Sequence, residues 1–222
     1  IPANAPDFPI DTNVDSFDFN YRMLLVDHTG VDCGYCPGMK ELLKDVSSNE
    51  LYCNNINIVY AYTFSTRDKC YSTDAHTVQE YYKQVCKNSS MPLSGYPSVT
   101  FNYLHDHAAS TNTVTKQLDL LNRESADAAI AVATALEGNT LTISAELKSA
   151  VSQSYNIAVW VLEDDVYAHQ AGAYADWMHT HHSVLRDCIT DISKTDISGI
   201  SWGYVRANSS LRRVLELPIE DN

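Results

Sequence analysis

Two cysteines separated by two residues, Cys33 and Cys36, have the residue type and the spacing of a redox pair. A short apolar run predicts a buried strand just before them, and helical spacing predicts a helix that starts with them. The unpaired N–H groups of a helix N-terminus stabilise a thiolate, so they lower the pKa of a cysteine there below about 8.5. We therefore expect the thiolate of Cys33 to attack a substrate disulfide and Cys36 to resolve the mixed disulfide.

The same pair has alternative interpretations, namely a structural or vestigial disulfide or half of a zinc site. Zinc takes about four ligands, and the sequence has neither a second Cys-x-x-Cys motif nor a histidine pair near this one. His179, His181 and His182 lie close together, but we expect them to be solvated or hydrogen-bonded. The sequence therefore predicts no metal site and no cofactor.

Asp27 is a candidate proton carrier for this chemistry. It lies on the predicted strand six residues before Cys33, where its side chain can point beneath the pair. A partly buried carboxyl there has a raised pKa, and it accepts a proton from Cys36 during resolution. A surface or capping carboxylate is the alternative interpretation of Asp27.

Pro97 is a candidate for the substrate groove. It follows Gly95 and Tyr96 and precedes a predicted strand, and in this context we expect a cis peptide bond that faces the disulfide. Such a loop leaves the backbone of Tyr96 free to pair with an extended substrate. We predict that Tyr35, Tyr96 and Pro97 contact the substrate.

Alternating strands and helices position these residues. Strands are predicted over residues 23–26, 56–64 and 98–103, and helices over 36–44, 74–85 and 116–136. This order is typical of an α/β layer fold.

After Gly138 the pattern changes to short strands with few helices. Strands are predicted over residues 140–147, 155–162, 200–207 and 211–217, with a long loop that contains some helix over 174–187. This pattern predicts a small β-sandwich, and we expect it to lack a C-terminal strand because the sequence stops soon after Pro218. We therefore expect an N-terminal arm over 1–20, an α/β domain over 21–137 and a β-domain over 138–222.

The even number of cysteines, six in all, and the polar loops that carry Cys70 and Cys86 favour an oxidising compartment. Cys70 and Cys86 flank the predicted helix over 74–85, and we predict a structural disulfide between them. Cys53 and Cys188 are expected to form a second bridge or to be free thiols.

Composition and charge exclude several classes of protein. Hydrophobic residues make up 45% of the chain and charged residues 19%, which is enough apolar surface for a folded core. The net charge of −13 disfavours binding to nucleic acid and to anionic lipid headgroups. The chain begins at Ile1 without a methionine, so we expect any signal peptide or lipid anchor to lie outside it.

Residues 26–37, with the sequence VDHTGVDCGYCP, resemble the active-site strand and helix start of the thioredoxin superfamily, and Tyr96-Pro97 resembles its cis-proline loop. A narrower group, the 28-kDa outer-membrane-protein-related lipoprotein family of Bacteroidetes, is similar in the string Thr29-Gly-x-x-Cys-Gly-Tyr-Cys-Pro37 and in tail residues Glu163-Asp164, Gln170 and 182–186. The resemblance implies a thioredoxin-like domain followed by a β-domain. It also implies an exported protein that is associated with the outer membrane and has envelope thiols or disulfides as partners.

Two functions follow from this sequence. The first is an envelope thiol–disulfide oxidoreductase; the second is an outer-membrane-associated binding or adhesion protein that keeps an inert thioredoxin-like scaffold. Asp32 stands before Cys33 where thioredoxins commonly have tryptophan, and its charge disfavours the thiolate. Exposure of the Cys33 sulfur would favour catalysis, whereas cover from Tyr35, Tyr96 or the β-domain would favour the scaffold.

Overall fold

The structure, a computed structural model, describes residues 2, 4–87, 93, 95–102, 107–108, 111–122 and 125–219. Its elements in chain order are β1 (Met23–Thr29), α1 (Cys36–Ser48), β2 (Ile56–Tyr62), α2 (Thr73–Val85), β3 (Ser98–Phe101), β4 (His107–Ala108), α3 (Thr111–Leu121), β5 (Ala128–Glu137), β6 (Thr140–Ser149), β7 (Gln153–Ile157), β8 (Trp160–Glu163), β9 (Val166–Tyr167), a 3-10 helix (Asp176–His179), β10 (Thr180–His181), β11 (Val184–Cys188), β12 (Ile200–Val205) and β13 (Ser209–Pro218). This is a mixed α/β protein with several sheets. No helix among these elements is long and apolar enough to cross a bilayer.

The chain folds into two compact units, each built from segments that are distant in sequence. The larger unit contains Arg22–Asn122 and Trp160–Ile197, and the smaller contains Ile1–Tyr21, Arg123–Val159 and Ser198–Asn222. The contiguous ranges 21–137 and 138–222 that the sequence suggests differ from these units. The reason is that β8 and β11, from the second half of the chain, join the sheet of the larger unit.

A six-stranded sheet with the order β4-β3-β1-β2-β11-β8 forms the centre of the larger unit. β1 is parallel to β2 over seven residue pairs, and β3 runs antiparallel to β1, with Asp27 opposite Val99. Val26 packs in one core cluster with residues of α2. Since successive side chains of a strand point to opposite faces, Asp27 points to the other face of the sheet.

The local sequence explains where the helices of this unit begin. α1 begins at Cys36 with Pro37 in its first turn, where proline loses no hydrogen bond, and it buries Met39 and Leu43. α2 begins after Ser72, whose side chain accepts a hydrogen bond from the backbone N–H of Ala75. The predicted strands at 23–26, 56–64 and 98–103 and the predicted helices at 36–44 and 74–85 are therefore confirmed, to within a few residues at their ends.

The smaller unit contains a three-stranded sheet, β13-β6-β5, and a two-stranded sheet, β12-β7. The two sheets share one core, in which Trp202 of β12 is fully buried among apolar residues of β6, β7 and β13. The N-terminal arm lies in this unit. The Oγ of Ser144 donates to the carbonyl of Pro6, and the Nζ of Lys148 lies 2.7 Å from a carboxylate oxygen of Asp11.

Three expectations about secondary structure are wrong. The predicted helix over 116–136 instead corresponds to the end of α3 and most of β5. β5 is a strand because all ten of its residues pair with β6 across the turn at Gly138. The strand over 155–162 is divided between β7 and β8, which belong to different sheets. The loop over 174–187 contains the expected helix, the 3-10 helix Asp176–His179, but it also contains most of β11, a strand that lies between β2 and β8.

Candidate functional site

Cys33 and Cys36 form a disulfide, with an S–S distance of 2.03 Å and 5.4 Å between the two Cα atoms. The backbone N–H of Cys36 donates to the carbonyl of Cys33. Cys36 is the first residue of α1 and Cys33 lies in the turn just before it, so the pair stands at the helix N-terminus. This position gives both sulfurs the favourable side of the helix dipole.

Both cysteines of the pair are buried, with 4% of Cys33 and 1% of Cys36 exposed. Tyr35 does not cover them, because 88% of its side chain is exposed. The hydroxyl group of Tyr96 donates to the carbonyl of Thr63 and accepts from the Nε2 of Gln79 at 2.8 Å. By the criterion of sulfur exposure, the burial of Cys33 favours the scaffold function.

The Tyr96–Pro97 peptide bond is cis. Pro97 stands directly before β3, and β3 pairs with β1, the strand that leads to the cysteines. The ring of Tyr96 packs edge-to-face on Phe64, with 5.2 Å between the ring centroids. These contacts orient the tyrosine side chain, while its role in substrate binding stays a prediction.

Asp27 is fully buried, and within the described part of the chain neither of its carboxylate oxygens has a hydrogen-bond partner. Burial raises the pKa of Asp27 from 3.8 to about 8, and the nearby charge of Lys40 opposes part of this rise. The carboxyl is therefore protonated at neutral pH. A neutral acid is the form that a buried carboxyl without hydrogen bonds adopts.

Lys40 is a site residue that the sequence analysis missed. It lies four residues after Cys36, on the same side of α1, and it is 9% exposed. Its Nζ donates to the carbonyls of Met178 and Thr180, both at 2.8 Å, and to Nδ1 of His181 at 3.1 Å. Burial lowers the pKa of Lys40 to about 8. No local pattern marks it, because its partners lie about 140 residues away.

His181 completes a buried polar cluster with Lys40. Its Nδ1 accepts from Lys40 and from the hydroxyl of Tyr62 at 2.6 Å, and its Nε2 donates to the carbonyl of Ala168 at 3.1 Å. Burial lowers the pKa of His181 to about 4, so the ring is neutral. This arrangement makes His181 an acceptor for Lys40 rather than a second positive charge.

Residues 168–173, which we call the strap, hold the loop that carries Cys33. The Nε2 of Gln170 lies within 3.1–3.2 Å of the carbonyls of Gly30, Val31 and Cys33. A Cβ on Gly172, whose φ is +71°, would lie 2.3 Å from the carbonyl oxygen of Gly34, so only glycine fits there. The sequence marks Gln170 only through the family resemblance, and no local pattern predicts its contact with the loop of Cys33.

The remaining cysteines and histidines differ partly from expectation. The predicted Cys70–Cys86 disulfide is wrong, because the two residues lie in different core clusters, and Cys53 and Cys188 form no bridge either. Burial, reinforced by Asp68, raises the pKa of the Cys70 thiol to about 12. His179 accepts a hydrogen bond from the backbone of Gln170, and the Nδ1 of the exposed His182 accepts one from the backbone N–H of Asp165.

Two solved structures resemble this chain in fold. HBP35 of Porphyromonas gingivalis superposes with a TM-score of 0.67 at 15% identity over 89% of this chain, and this chain covers 64% of HBP35, less than two thirds. Protein AGR_C_4864 from Agrobacterium tumefaciens superposes with a TM-score of 0.55 at 14% identity, over 90% of this chain and 79% of that protein. Identities this low concern the fold alone.

No curated protein matches the sequence. The model of the family described as outer membrane protein Omp28 matches residues 84–220, a range that begins after the Cys33–Cys36 pair. Since this match covers more than half of the chain, the protein belongs to the Omp28 outer membrane protein family and is an envelope protein associated with the outer membrane.

Proposed function

We propose that this protein is an envelope thiol–disulfide oxidoreductase, with a thioredoxin-like domain in its larger unit and a small β-sandwich in its smaller one. The observation that carries the proposal is the Cys33–Cys36 disulfide at the start of α1, with the buried neutral carboxyl of Asp27 on the strand beneath that helix. The sheet order also supports it. The substrates are protein thiols or disulfides of the envelope.

The chemistry starts from the disulfide form. A substrate thiolate attacks the Sγ of Cys33, the Cys33–Cys36 bond breaks, and Cys36 leaves as a thiolate that takes the carboxyl proton of Asp27. A second substrate thiolate then attacks the substrate sulfur of the mixed disulfide and releases Cys33 as a thiolate. The substrate is oxidised by two electrons and the cysteine pair is reduced.

The same steps run in reverse when the reduced pair meets a substrate disulfide. The thiolate of Cys33 attacks, and the ionised carboxylate of Asp27 accepts the proton of Cys36 as Cys36 resolves the mixed disulfide. The Lys40 ammonium lies one helical turn from Cys36. Its charge favours the Cys36 thiolate in the first direction and the Asp27 carboxylate in the reverse direction. In this proposal Tyr35, Tyr96 and Pro97 contact the substrate chain.

Covalent trapping tests this proposal. A Cys36→Ala variant, expressed in its native envelope, cannot resolve the mixed disulfide, so it should accumulate envelope proteins linked to Cys33 that a reductant releases. The matched control is the Cys33→Ala, Cys36→Ala double variant, which should trap nothing. If the single variant traps no more than the double variant, the oxidoreductase proposal fails.

The burial of Cys33 favours a second function, in which the fold is an inert scaffold for binding or adhesion at the outer membrane. The two functions differ in the fate of the disulfide in the folded protein. The scaffold function predicts a bond that resists reduction, whereas the oxidoreductase function predicts that the loop of Cys33 opens to an attacking thiol.

A further inference from the structure

We infer that the larger unit contains a binding site for a fatty acid, separate from the cysteine pair. A cavity of about 870 Å³ lies between α1, β2 and the segment from Leu162 to Ser183. This volume is within the range of about 300–1,000 Å³ that small-molecule sites have. The inference does not depend on redox activity.

The lining of the cavity suits an aliphatic chain. Ile58 and Tyr60 stand two residues apart on one face of β2, so both contribute to the floor of the cavity. Leu162 and Trp177 also line it, and 40% of Leu162 is exposed in the absence of a ligand. An acyl chain in the cavity would remove these apolar side chains from water.

Lys44 supplies the charge that a carboxylate requires. Its Nζ lies 4.1 Å from the centroid of the Trp177 ring, and no carboxylate of the described residues forms an ion pair with it. The second lysine of the lining, Lys40, is already bound to backbone carbonyls, and the one carboxylate of the lining, Asp165, has 82% of its side chain exposed to solvent. The chain as a whole carries −13, but the Lys44 ammonium places a positive charge in the lining. It makes the cavity complementary to a single anionic group.

The cellular setting supplies acyl chains, since the protein is associated with the outer membrane. A carboxylate fits one ammonium, whereas the net charge of −13 on the chain opposes the docking of an anionic bilayer. The ligand is therefore a single-chain acid that enters the cavity.

Isothermal titration calorimetry of the full chain with octanoate, decanoate and dodecanoate, below their micelle concentrations, tests the aliphatic part. Each methylene buried should tighten binding about fourfold, so each two-carbon step should tighten it about fifteenfold until the cavity is full. The Cys33→Ser, Cys36→Ser variant should bind equally well, which separates this result from the redox proposal. Binding that does not saturate, or that does not depend on chain length, would overturn the inference.

Lys44→Glu tests the carboxylate. It should weaken dodecanoate binding about tenfold or more, because the carboxylate loses its contact with the Lys44 ammonium. It should leave dodecanol binding unchanged, because the alcohol carries no charge. Lys87→Glu makes the same charge change at the end of α2, on the other face of the sheet, and should have little effect. Equal effects of the two variants would contradict the assignment of Lys44 to the carboxylate. A lysophospholipid that competes more tightly than dodecanoate would contradict a fatty acid as the ligand. Lys44 is exposed, so its replacement leaves the folded state intact, and a thermal melt verifies this.

Discussion

Cys36 and Cys70 are equally buried, yet their surroundings act on a thiolate in opposite ways. Cys70 lies in an apolar cluster beside Asp68, and these two influences raise the pKa of its thiol more than the charges of Arg186 and Lys40 lower it. Cys36 stands at the start of a helix, with an ammonium one turn away and a neutral acid on the strand beneath. Burial alone makes a cysteine inert, so the neighbouring charges and the proton donor distinguish a candidate redox pair from a structural thiol.

The largest expected effect is on activity, and it distinguishes the Cys33–Cys36 pair from Cys70. Cys33→Ser should abolish turnover in an insulin-reduction assay, because the remaining thiol cannot complete the exchange. Cys70→Ser removes a thiol that is protonated at neutral pH, so it should retain activity within about twofold. A comparable loss in both variants would mean that the pair has no special role.

Asp27→Asn sharpens the comparison through stability. The pKa of Asp27 is about 8 in the folded protein, against an ordinary value of 3.8 for an aspartate in water, so its contribution to stability is fully present below pH 4 and is lost as the pH rises through 8. Over this window the free energy of unfolding should fall by up to about 1.4 kcal/mol per pH unit in the wild type. The asparagine variant lacks this slope and should be more stable at pH 8 by several kcal/mol.

Urea denaturation at pH 4.5, 6 and 7.5 measures this difference. Asp32→Asn is the matched control, because it makes the same chemical change at an exposed carboxylate next to the pair. Its unfolding free energy should follow the wild-type pH dependence. Parallel curves for the wild type and Asp27→Asn would show that the buried carboxyl ionises normally.

Gln170→Ala has the smallest expected effect. Loss of the amide that holds the carbonyls of Gly30, Val31 and Cys33 should make opening of this loop easier by about 1 kcal/mol, and thereby speed reduction of the disulfide by dithiothreitol roughly fivefold. Gln153→Ala, at an exposed position of β7, should leave the rate unchanged. An unchanged rate for Gln170→Ala as well would show that the strap does not limit access to Cys33.

The sequence predicted the parts of the site that depend on short-range pattern. The strand that carries Asp27 and the helix that begins at Cys36 both lie between Met23 and Ser48, so periodicity and spacing determine them. The strap and Lys40 could not be found in this way. Their contacts join residues about 140 positions apart, and no local pattern encodes them.

The errors have the same origin. The alanine-rich run in β5 favours a helix locally, but a ten-residue ladder with β6 outweighs that preference. Cys70 and Cys86 are close in sequence, but the fold places them in separate clusters. In both cases packing against distant parts of the chain determines the structure, and the local sequence does not encode that packing.

The reduction potential of the Cys33–Cys36 bond tests the central claim most directly. The folded protein is equilibrated with a series of glutathione and dithiothreitol ratios at pH 7, and the fraction of the Cys33–Cys36 bond that is reduced is measured by alkylation and mass spectrometry. If the pair is redox-active, the Cys33–Cys36 bond should be reduced in a two-electron transition at a potential above about −300 mV, as exchangeable disulfides are. A bond that stays oxidised until the potential is well below that value would contradict it and leave the scaffold function.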